Sequence, residues 1–347
     1  MKNIIINLIV CPTCGKKLHI KLKQKIKDEI IEGHLSCSKN HKFQIKRGIP
    51  RFVTDKGKDF VKTESAFSTK WKLYNKLYQD KKWYDTQKKW FLERFGWKTV
   101  SKFNNFLNSR HIILDAGTGI GNSAKLFSKN PKSQVFAIDA SESIDFAYKK
   151  YGKTSNIHFL QADLRNLPFR NQTFDFICSD QVLHHTSNTK TSFKYLTKLL
   201  KKNGIISIYV YKKKGPIREF VDDFIREKTV KMSETECEEF SNDMAILGRN
   251  LSKLKMKIRI PRNIPILQIK AGTYDIQRFI YWNFLKCFWA EDGNFQRSVG
   301  INFDWYFPKY AYRHTKNEIQ TWCNSAKIKI IHYNEIESGI SINGKKL

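Results

Sequence analysis

The sequence predicts an α/β fold built on a doubly wound sheet. The apolar run Ile112–Ala116 leads into a turn with glycines at 117, 119 and 121, and then into a helix-like segment. Further apolar runs, several of them ending in an acidic residue, follow up to residue 211, which is typical of strand–helix–strand units. The chain has 347 residues, 41% of them hydrophobic, which suffices for about two domains with a buried core.

The glycine-rich turn points to a small ligand, because glycine lets the backbone bend sharply and approach a ligand closely. Asp115 lies two positions before the first glycine, and Asn122 stands where a dinucleotide-binding fingerprint has its third glycine. A carboxylate at this place suits a cationic ligand better than a pyrophosphate, which prefers bare amides at a helix N-terminus. The P-loop pattern is absent from the chain. A turn that serves only packing is the alternative.

The apolar runs after this turn end in acidic residues at regular intervals. The second run, Gln134–Asp139, ends 18 positions after Gly121, and an acid at the end of the second strand of such folds binds ribose hydroxyls. The third run ends at Asp163, the fourth at Asp180, and residues 204–211 form a fifth. Capping of the next helix is the alternative role for Asp163.

Five blocks of this region carry a family resemblance. They are LDAGTGIG, AIDAS, QADLRNLPF, FDFICSDQVLHH and LLKKNGIISIYVY. In order and spacing they resemble motifs I to V of the class I S-adenosylmethionine (SAM) dependent methyltransferases. They are most similar to the type 11, UbiE-like branch that methylates small molecules, quinones and lipids. The resemblance covers about residues 108–211 and implies a doubly wound, seven-stranded, Rossmann-like SAM domain.

The resemblance also implies roles for individual residues. Asp115 and the glycine turn would hold the methionine moiety, Asp139 the ribose, Asp163 and Leu164 the adenine, and the turn at Asp180 the amino-acid end. The complete implied cofactor set is Asp115, Gly117, Thr118, Gly119, Gly121, Asp139, Asp163, Leu164 and Asp180.

Two histidines, His184 and His185, follow the fourth strand on the side of the expected acceptor pocket. Either could deprotonate an acceptor hydroxyl or amine as a general base. Shaping of the loop is the alternative role. The Asn-Pro-Pro-Tyr signature of amino-methylating enzymes is absent here, which disfavours N6-adenine and glutamine as acceptors.

Cysteine spacing predicts a structural zinc site at the N-terminus. Cys11 and Cys14 form a knuckle, and Cys37 and His41 follow after 22 intervening residues, which completes a Cys₃His set. His34 is the rival fourth ligand, and a segment without metal is the alternative. Residues 42–52 predict a strand and a Gly-Ile-Pro exit turn. Residues 1–57 resemble the Trm112-like zinc ribbons that precede some class I methyltransferases, including certain rRNA guanine methyltransferases.

The segment 58–107 has aromatic residues at helical spacing, among them Phe67, Trp71, Tyr74 and Tyr78. A helix that packs on the catalytic domain is the simpler interpretation. Similar methyltransferases cover the cofactor cleft with helices from this region, so Trp71 and Tyr74 are candidate lid residues.

The last domain is expected to span residues 108–347, with a helical insertion at about 212–300 before the last two strands. The basic run Lys253–Arg262, with aromatic residues nearby, could bind RNA, although a solvated lysine-rich face is the alternative. Thr315 and Glu318 predict a capping box that opens a helix. Tyr306, Tyr312 and His314 are acceptor-site candidates, and packing is their alternative role.

The formal net charge of +31 has two interpretations, a nucleic-acid or anionic partner or lysine used as a generic surface residue. No apolar run approaches the roughly 18 to 20 residues of a membrane span, and the odd number of cysteines, seven, favours reduced thiols and a cytoplasmic location. The expected function is SAM-dependent methyl transfer to a small-molecule, lipid or saccharide acceptor. The alternatives are an RNA (rRNA or tRNA) methyltransferase and a non-catalytic zinc- and SAM-binding partner subunit.

Overall fold

The computed structural model describes residues 1–54, 57–79 and 81–347, without the side chains of 73–79 and Lys82. In these residues the main sheet has eleven strands in the order β1-β2-β3-β4-β7-β6-β5-β8-β9-β13-β12. The strands are β1 Leu18–Ile26, β2 Glu29–Cys37, β3 Lys42–Lys46, β4 Ile49–Arg51, β5 Ile112–Ala116, β6 Gln134–Asp139, β7 Ile157–Gln161, β8 Phe174–Asp180, β9 Leu200–Tyr211, β12 Ile328–Glu335 and β13 Gly339–Lys346.

The centre of the sheet consists of the parallel strands β7, β6, β5, β8 and β9. The strand β13 is inserted antiparallel between β9 and β12, so the sheet is mixed. The chain runs from β5 outward to β6 and β7 and then returns to the other side of β5 at β8. Ligands of open α/β sheets bind at the carboxyl end of such a switch point. The predicted Rossmann-like α/β class is confirmed.

Helices cover both faces of this sheet. One face is packed by α2 Lys81–Arg94, α3 Val100–Asn108, α4 Asn122–Phe127 and α5 Ser143–Tyr151. The other is packed by α6 Thr189–Leu199 and α11 Lys316–Ser325. The helix α11 opens with the predicted capping box, in which Thr315 accepts from the amide of Glu318 and the Glu318 carboxylate accepts from the amide of Thr315.

The N-terminal strands β1–β4 continue the central sheet. The strand β4, at the place of the expected exit turn, pairs in parallel with β7 at Arg51 and Gln161. The amide of Phe52 donates to the Gln161 carbonyl at 2.7 Å, and Ile9 and Leu18 share one hydrophobic core with Phe136 and Leu114. Without β4, the strand β7 would be a sheet edge with unpaired backbone N–H and C=O groups. The strand β4 forms hydrogen bonds with some of these groups.

The helix α1, Lys58–Gln79, follows the N-terminal strands and packs against α5 and against the insertion helix α10, Phe295–Tyr306. Its residues 58–72 are described with their side chains. The lid candidate Tyr74, like Tyr78, has a side chain outside the described part of the structure.

The insertion contains α7 Pro216–Thr229, α8 Glu234–Lys253, α9 Ile276–Asn283 and α10. It also contains a hairpin, β10 Lys257–Ile260 paired with β11 Gly272–Asp275, where only helices were expected. The alternation Lys257-Ile-Arg-Ile260 has the period of a strand and explains this difference. Among the described residues, no helix is both long and apolar enough to cross a membrane.

Candidate active site

The glycine-rich turn lies at the carboxyl end of β5, beside the switch point of the sheet. Gly117, Gly119 and Gly121 all have a left-handed backbone, with φ of +92°, +54° and +84°. The amides of Gly117 and Thr118 both donate to the Ile138 carbonyl at 2.8 Å, which ties the turn to β6. A Cβ on Gly117 would lie 2.2 Å from Val182 Cγ2. The glycines are therefore required by conformation and by the close approach of the loop after β8.

Asp115 is buried directly below this turn. Its Oδ2 accepts a hydrogen bond from Thr118 Oγ1 at 2.6 Å. Burial raises its pKa to about 7, with smaller contributions in the same direction from the nearby Asp180 and Asp139 and an opposing one from the Thr118 hydrogen bond. A cationic group beside this carboxylate would be stabilised, because several carboxyl groups lie close together here and water is largely excluded.

Asp139 holds the turn from the end of β6. Its Oδ2 accepts from the amide of Gly119 at 2.9 Å. Its Oδ1 accepts from the amide and hydroxyl of Ser141 at 2.9 and 2.6 Å. Charge-assisted bonds of this kind position the carboxylate firmly, at the place where the sequence predicts a ribose ligand.

The two other predicted acids have cationic partners. Asp163 accepts from the Arg165 side chain, with Nε to Oδ2 at 2.8 Å, and the neighbouring Leu164 is buried. Asp180 accepts from Arg94 Nη1 at 2.7 Å, and the Arg94 guanidinium lies 5.1 Å from the ring of Tyr209. Asp115, Asp139 and Asp180 thus interact electrostatically around the turn, while Asp163 is engaged by Arg165.

The helix α1 lies over the glycine-rich turn. A Cβ on Gly119 would lie 3.0 Å from the ring of Trp71, and Ser68 Oγ accepts from the amide of Glu142 at 3.2 Å. Glu64 faces Asp139 and Glu142, and burial followed by these two carboxylates raises its pKa to about 7. Neither Glu64 nor Arg94 was found from the sequence, because no local motif marks an acid or arginine on these helices.

The histidine pair is buried in the turn that follows β8. Both ring nitrogens of His184 are buried and have no hydrogen-bond partner among the described residues, and its ring stacks on Tyr211 at 3.7 Å between centroids. His185 Nδ1 lies 2.7 Å from the Tyr310 carbonyl oxygen. A carbonyl oxygen only accepts, so Nδ1 carries the proton and Nε2 keeps a lone pair that can accept a proton.

Acidification should destabilise the fold through His185. Burial lowers its pKa from 6.5 to about 4, against opposing contributions from Asp304 and the Tyr310 carbonyl. The unfolded chain therefore binds a proton between these values and the folded chain does not, so stability is present above pH 6.5 and is lost as the pH falls towards 4. Each pH unit should cost about 1.4 kcal/mol through this group.

The measurement is urea unfolding of wild type and His185→Gln across this pH range. The two stabilities should converge as the pH falls, because the variant lacks this titration. Parallel curves for the two proteins would contradict the assignment of a neutral, acid-sensitive His185.

The comparisons with known proteins agree with this geometry. Residues 114–208 match the family model described as "Methyltransferase domain". This segment of the chain is similar to a methyltransferase domain.

The names of the relatives specify different methyl acceptors. A malonyl-[acyl-carrier protein] O-methyltransferase of Legionella pneumophila is 32% identical over 27% of this chain and 34% of its own length. A tRNA (carboxymethyluridine(34)-5-O)-methyltransferase of Arabidopsis thaliana is 32% identical over 33% of this chain and 28% of its own. The chain thus spans about a third of the length of these curated relatives. The crystal structure of magnesium protoporphyrin IX methyltransferase from Synechocystis with bound SAM aligns over 85% of this chain and 100% of its own, at 12% identity and a TM-score of 0.45.

The other acceptor candidates have different surroundings. The hydroxyl of Tyr306 is buried in the insertion and donates to the Lys286 carbonyl at 2.7 Å. Tyr312 is partly exposed and its hydroxyl donates to the Ser187 carbonyl at 3.2 Å. His314 packs on Trp322 and lies 3.5 Å from Glu318. The backbone amides of Tyr312 and His314 donate to the carbonyls of His184 and Tyr211, at 2.9 and 2.8 Å.

A potential metal centre lies in the N-terminal strands. The ligand atoms of Cys11, Cys14, Cys37 and His41 all lie within 4.8 Å of one another. His41 Nδ1 is 3.5 Å from Cys11 Sγ and 3.4 Å from Cys37 Sγ. Three thiolates and an imidazole at such distances suit a tetrahedral zinc ion. His34 pairs with Lys21 and Gln44 in the sheet and is not part of this group.

Proposed function

We propose that this chain is a SAM-dependent methyltransferase that acts on a small-molecule, lipid or saccharide acceptor. The observation that carries the proposal is the turn of three left-handed glycines between Asp115 and Asp139, at the carboxyl end of the switch point and beneath α1. SAM bears an ammonium and a sulfonium, and acids gathered in a buried place stabilise such cations.

The residues of the cleft have separate roles in this proposal. Asp115 and the glycine-rich turn hold the methionine moiety, and Asp139 takes the ribose hydroxyls in addition to the bonds it already accepts. Leu164 lines the adenine side, where Asp163 is oriented by Arg165. Arg94 and Asp180 close the amino-acid end as an ion pair.

SAM supplies a methyl group that is already activated for in-line displacement. The protein has to position the acceptor and exclude water, which can supply on the order of 7 to 11 kcal/mol of the barrier. The helix α1, with Trp71 over the turn, excludes water in this proposal. His185 Nε2 accepts the proton of an acceptor hydroxyl or amine where one must be removed.

The zinc ion and the division of the chain belong to the same proposal. Cys11, Cys14, Cys37 and His41 would hold a structural zinc in a Trm112-like ribbon of residues 1–57, followed by an aromatic helical segment 58–107 and the catalytic domain 108–347. The seven-stranded order of the catalytic part is supported by the strands between residues 112 and 346. None of the seven cysteines, all of which the structure describes, forms a disulfide bond, which supports a cytoplasmic location.

An RNA acceptor is the second candidate. The charge of +31 and the names of the tRNA-modifying relatives favour it. The loop Ser179–Val182, which lacks the amino-methylating signature, and the predominance of lysine favour the first candidate. Arginine, with its bidentate fork, is the residue that base-specific readers prefer.

Removing the Asp139 carboxylate should weaken SAM binding. Asp139→Ala deletes the ribose acceptor and the acceptor for the Gly119 amide, so we expect a loss of about 1.5 to 3 kcal/mol, or tenfold or more in affinity. Isothermal titration with SAM measures it, with the exposed Asp243→Ala as the matched control. Asp139→Asn, which keeps one acceptor oxygen, should lie between. Unchanged affinity in Asp139→Ala would place the ribose elsewhere.

A transfer assay tests the activity and its acceptor class. Radiolabelled SAM is incubated with the protein and, in parallel, with total RNA and with RNA-free metabolite and lipid fractions of the host. We expect label in an RNA-free fraction. Label confined to RNA would select the second candidate, with binding that weakens steeply with salt. SAM binding without transfer to any fraction would select a non-catalytic partner subunit.

A further inference from the structure

A cluster of cations is buried in the insertion, away from the acids of the SAM cleft. Arg218 on α7 is 1% exposed and Lys286, after α9, is 6% exposed. Lys214, in the loop between β9 and α7, is half-buried. Withdrawing such charges from water costs several kcal/mol per ion unless each is paired and hydrogen-bonded. The cluster therefore calls for nearby negative charge.

The described residues supply only part of that charge. Asp222 pairs with Arg218, with Nε to Oδ1 at 2.9 Å, and its Oδ2 is buried without a hydrogen-bond partner. Glu219, the other acid near the cluster, is engaged by Arg313 at 2.9 Å. Cations outnumber the carboxylates that face them.

The two lysines have neutral partners in place of carboxylates. Lys286 Nζ donates to Tyr281 Oη at 3.1 Å and lies 5.1 Å from the centre of the Trp305 ring. Lys214 Nζ donates to the carbonyls of Lys212 and Ser338 at 2.7 and 3.4 Å. Neither has a carboxylate within ion-pair distance in the described part of the chain. Burial, followed by the charges of Arg218 and Lys286, lowers the pKa of Lys214 to about 7 against opposing contributions from Glu219 and Asp222.

Aromatic rings connect this cluster to the SAM cleft. The ring of Trp305 lies 5.1 Å from that of Tyr211, which stacks on His184 at 3.7 Å. His184 follows Val182, the side chain that lies against Gly117. The cluster is thus at the far end of an aromatic row that begins beside the glycine-rich turn, and the unpartnered nitrogens of His184 lie along it.

We propose that the acceptor carries an oxyanion, a carboxylate or a phosphate, that binds between Lys214 and Lys286. The aromatic faces of Trp305 and Tyr211 contact the part of the acceptor that leads from this anion to the methylated atom. This subsite rests on the proposed methyl transfer for its role, but binding of an oxyanion to it does not depend on catalysis. The surplus charge selects acidic acceptors over neutral ones of the same shape.

The first test measures binding of simple oxyanions to the whole chain. Thermal unfolding is followed with increasing inorganic phosphate and, separately, acetate, against potassium chloride of equal ionic strength. We expect a saturable stabilisation beyond that of chloride, weakened about tenfold or more in apparent affinity by Lys286→Met and by Lys214→Met. Lys231→Met removes an exposed lysine just after α7 and should bind like wild type.

The anion that stabilises at lower concentration identifies the chemistry of the subsite. A stronger response to phosphate indicates a phosphorylated acceptor, and a stronger response to acetate indicates a carboxylic acid. Equal responses of wild type and Lys286→Met, or no response beyond that of chloride, would overturn the proposal. Because the comparison is of ligand dependence, a change in the variants' stability without ligand does not affect it.

The second test separates this subsite from the proposed function. The RNA-free extract is divided on an anion exchanger before the transfer assay with radiolabelled SAM. We expect the methylated acceptor in the retained fraction, with Lys286→Met needing about tenfold more extract for the same labelling at unchanged SAM affinity. Labelling confined to the unretained fraction would overturn the anionic subsite while leaving methyl transfer intact. Absence of labelling in every fraction would count against methyl transfer, and the oxyanion titration would then decide the subsite alone.

Discussion

Gly117→Ala should both destabilise the protein and abolish SAM binding at concentrations that saturate wild type. An alanine at a φ of +92° is strained by about 1–2 kcal/mol. Its Cβ would also lie 2.2 and 2.5 Å from the two γ-methyl groups of Val182, and overpacking of this kind costs about 1–3 kcal/mol. Together we expect the free energy of unfolding to fall by about 2–5 kcal/mol.

Loss of SAM binding follows from the direction in which the strain is relieved. The strain can be relieved in two ways. Either Val182 moves away from Gly117 together with His184 and the end of β8, or the glycine-rich turn moves away from Asp115. Either movement displaces groups that hold SAM in the proposed function. Urea unfolding and SAM titration of the same preparation measure the two effects.

Gly293→Ala is the matched control for this prediction. Gly293 has a φ of +72° but nothing within 4 Å of an added Cβ. It should show only the backbone cost of about 1–2 kcal/mol and keep its SAM affinity. If Gly117→Ala binds SAM as tightly as wild type, the close approach of Val182 does not shape the cofactor site.

Cys14→Ser should remove the metal and unfold the N-terminal strands. The wild-type protein should contain about one zinc per chain in this site, and structural zinc contributes about 10 to 16 kcal/mol of apparent binding energy to small domains. A serine hydroxyl does not replace a thiolate ligand. Metal analysis and hydrogen exchange of residues 1–54 measure the loss.

The effect should extend beyond the metal centre. Ile9, Leu18 and Leu35 pack into the same core as Leu114 and Phe136, and β4 covers the edge of β7. The melting temperature of the whole chain should therefore fall, not only that of the ribbon. His34→Gln in the neighbouring strand should keep both zinc and stability. Full metal occupancy in Cys14→Ser, or its loss in His34→Gln, would show that the ligand set is wrong.

Local sequence patterns were sufficient wherever one turn or one strand determines the geometry. The left-handed turn at 117–121 follows from the glycines themselves, since other side chains rarely adopt that backbone. The acids at 115 and 139 lie at strand ends, and parallel strands bring their carboxyl ends to one edge. The Cys₃His group is close in space because its two knuckles are each local, and one hairpin, β1–β2, connects them.

The sequence was insufficient wherever the partner is distant in the chain. Arg94 meets Asp180 across 86 positions, and Glu64 faces Asp139 only because α1 folds back over the turn. The pairing of Asp163 with Arg165, two positions apart, was within reach of a sequence argument. The hairpin β10–β11 was missed because its short alternation is embedded in a segment of helical pattern.

What the sequence determined by itself is the α/β class, the glycine-rich turn with its acids, and the Cys₃His group, since each depends on side-chain type and near-neighbour spacing. The tertiary structure alone decided that the N-terminal strands continue the central sheet and that α1 lies over the glycine-rich turn. It also decided that Lys214 and Lys286 lie against the neighbouring rings of Trp282 and Tyr281. The physical reason is that the pairing of sheet edges, the burial of side chains and the balance of charge all depend on residues that are far apart in the chain. A local sequence pattern does not show which distant part of the chain will bury a given side chain.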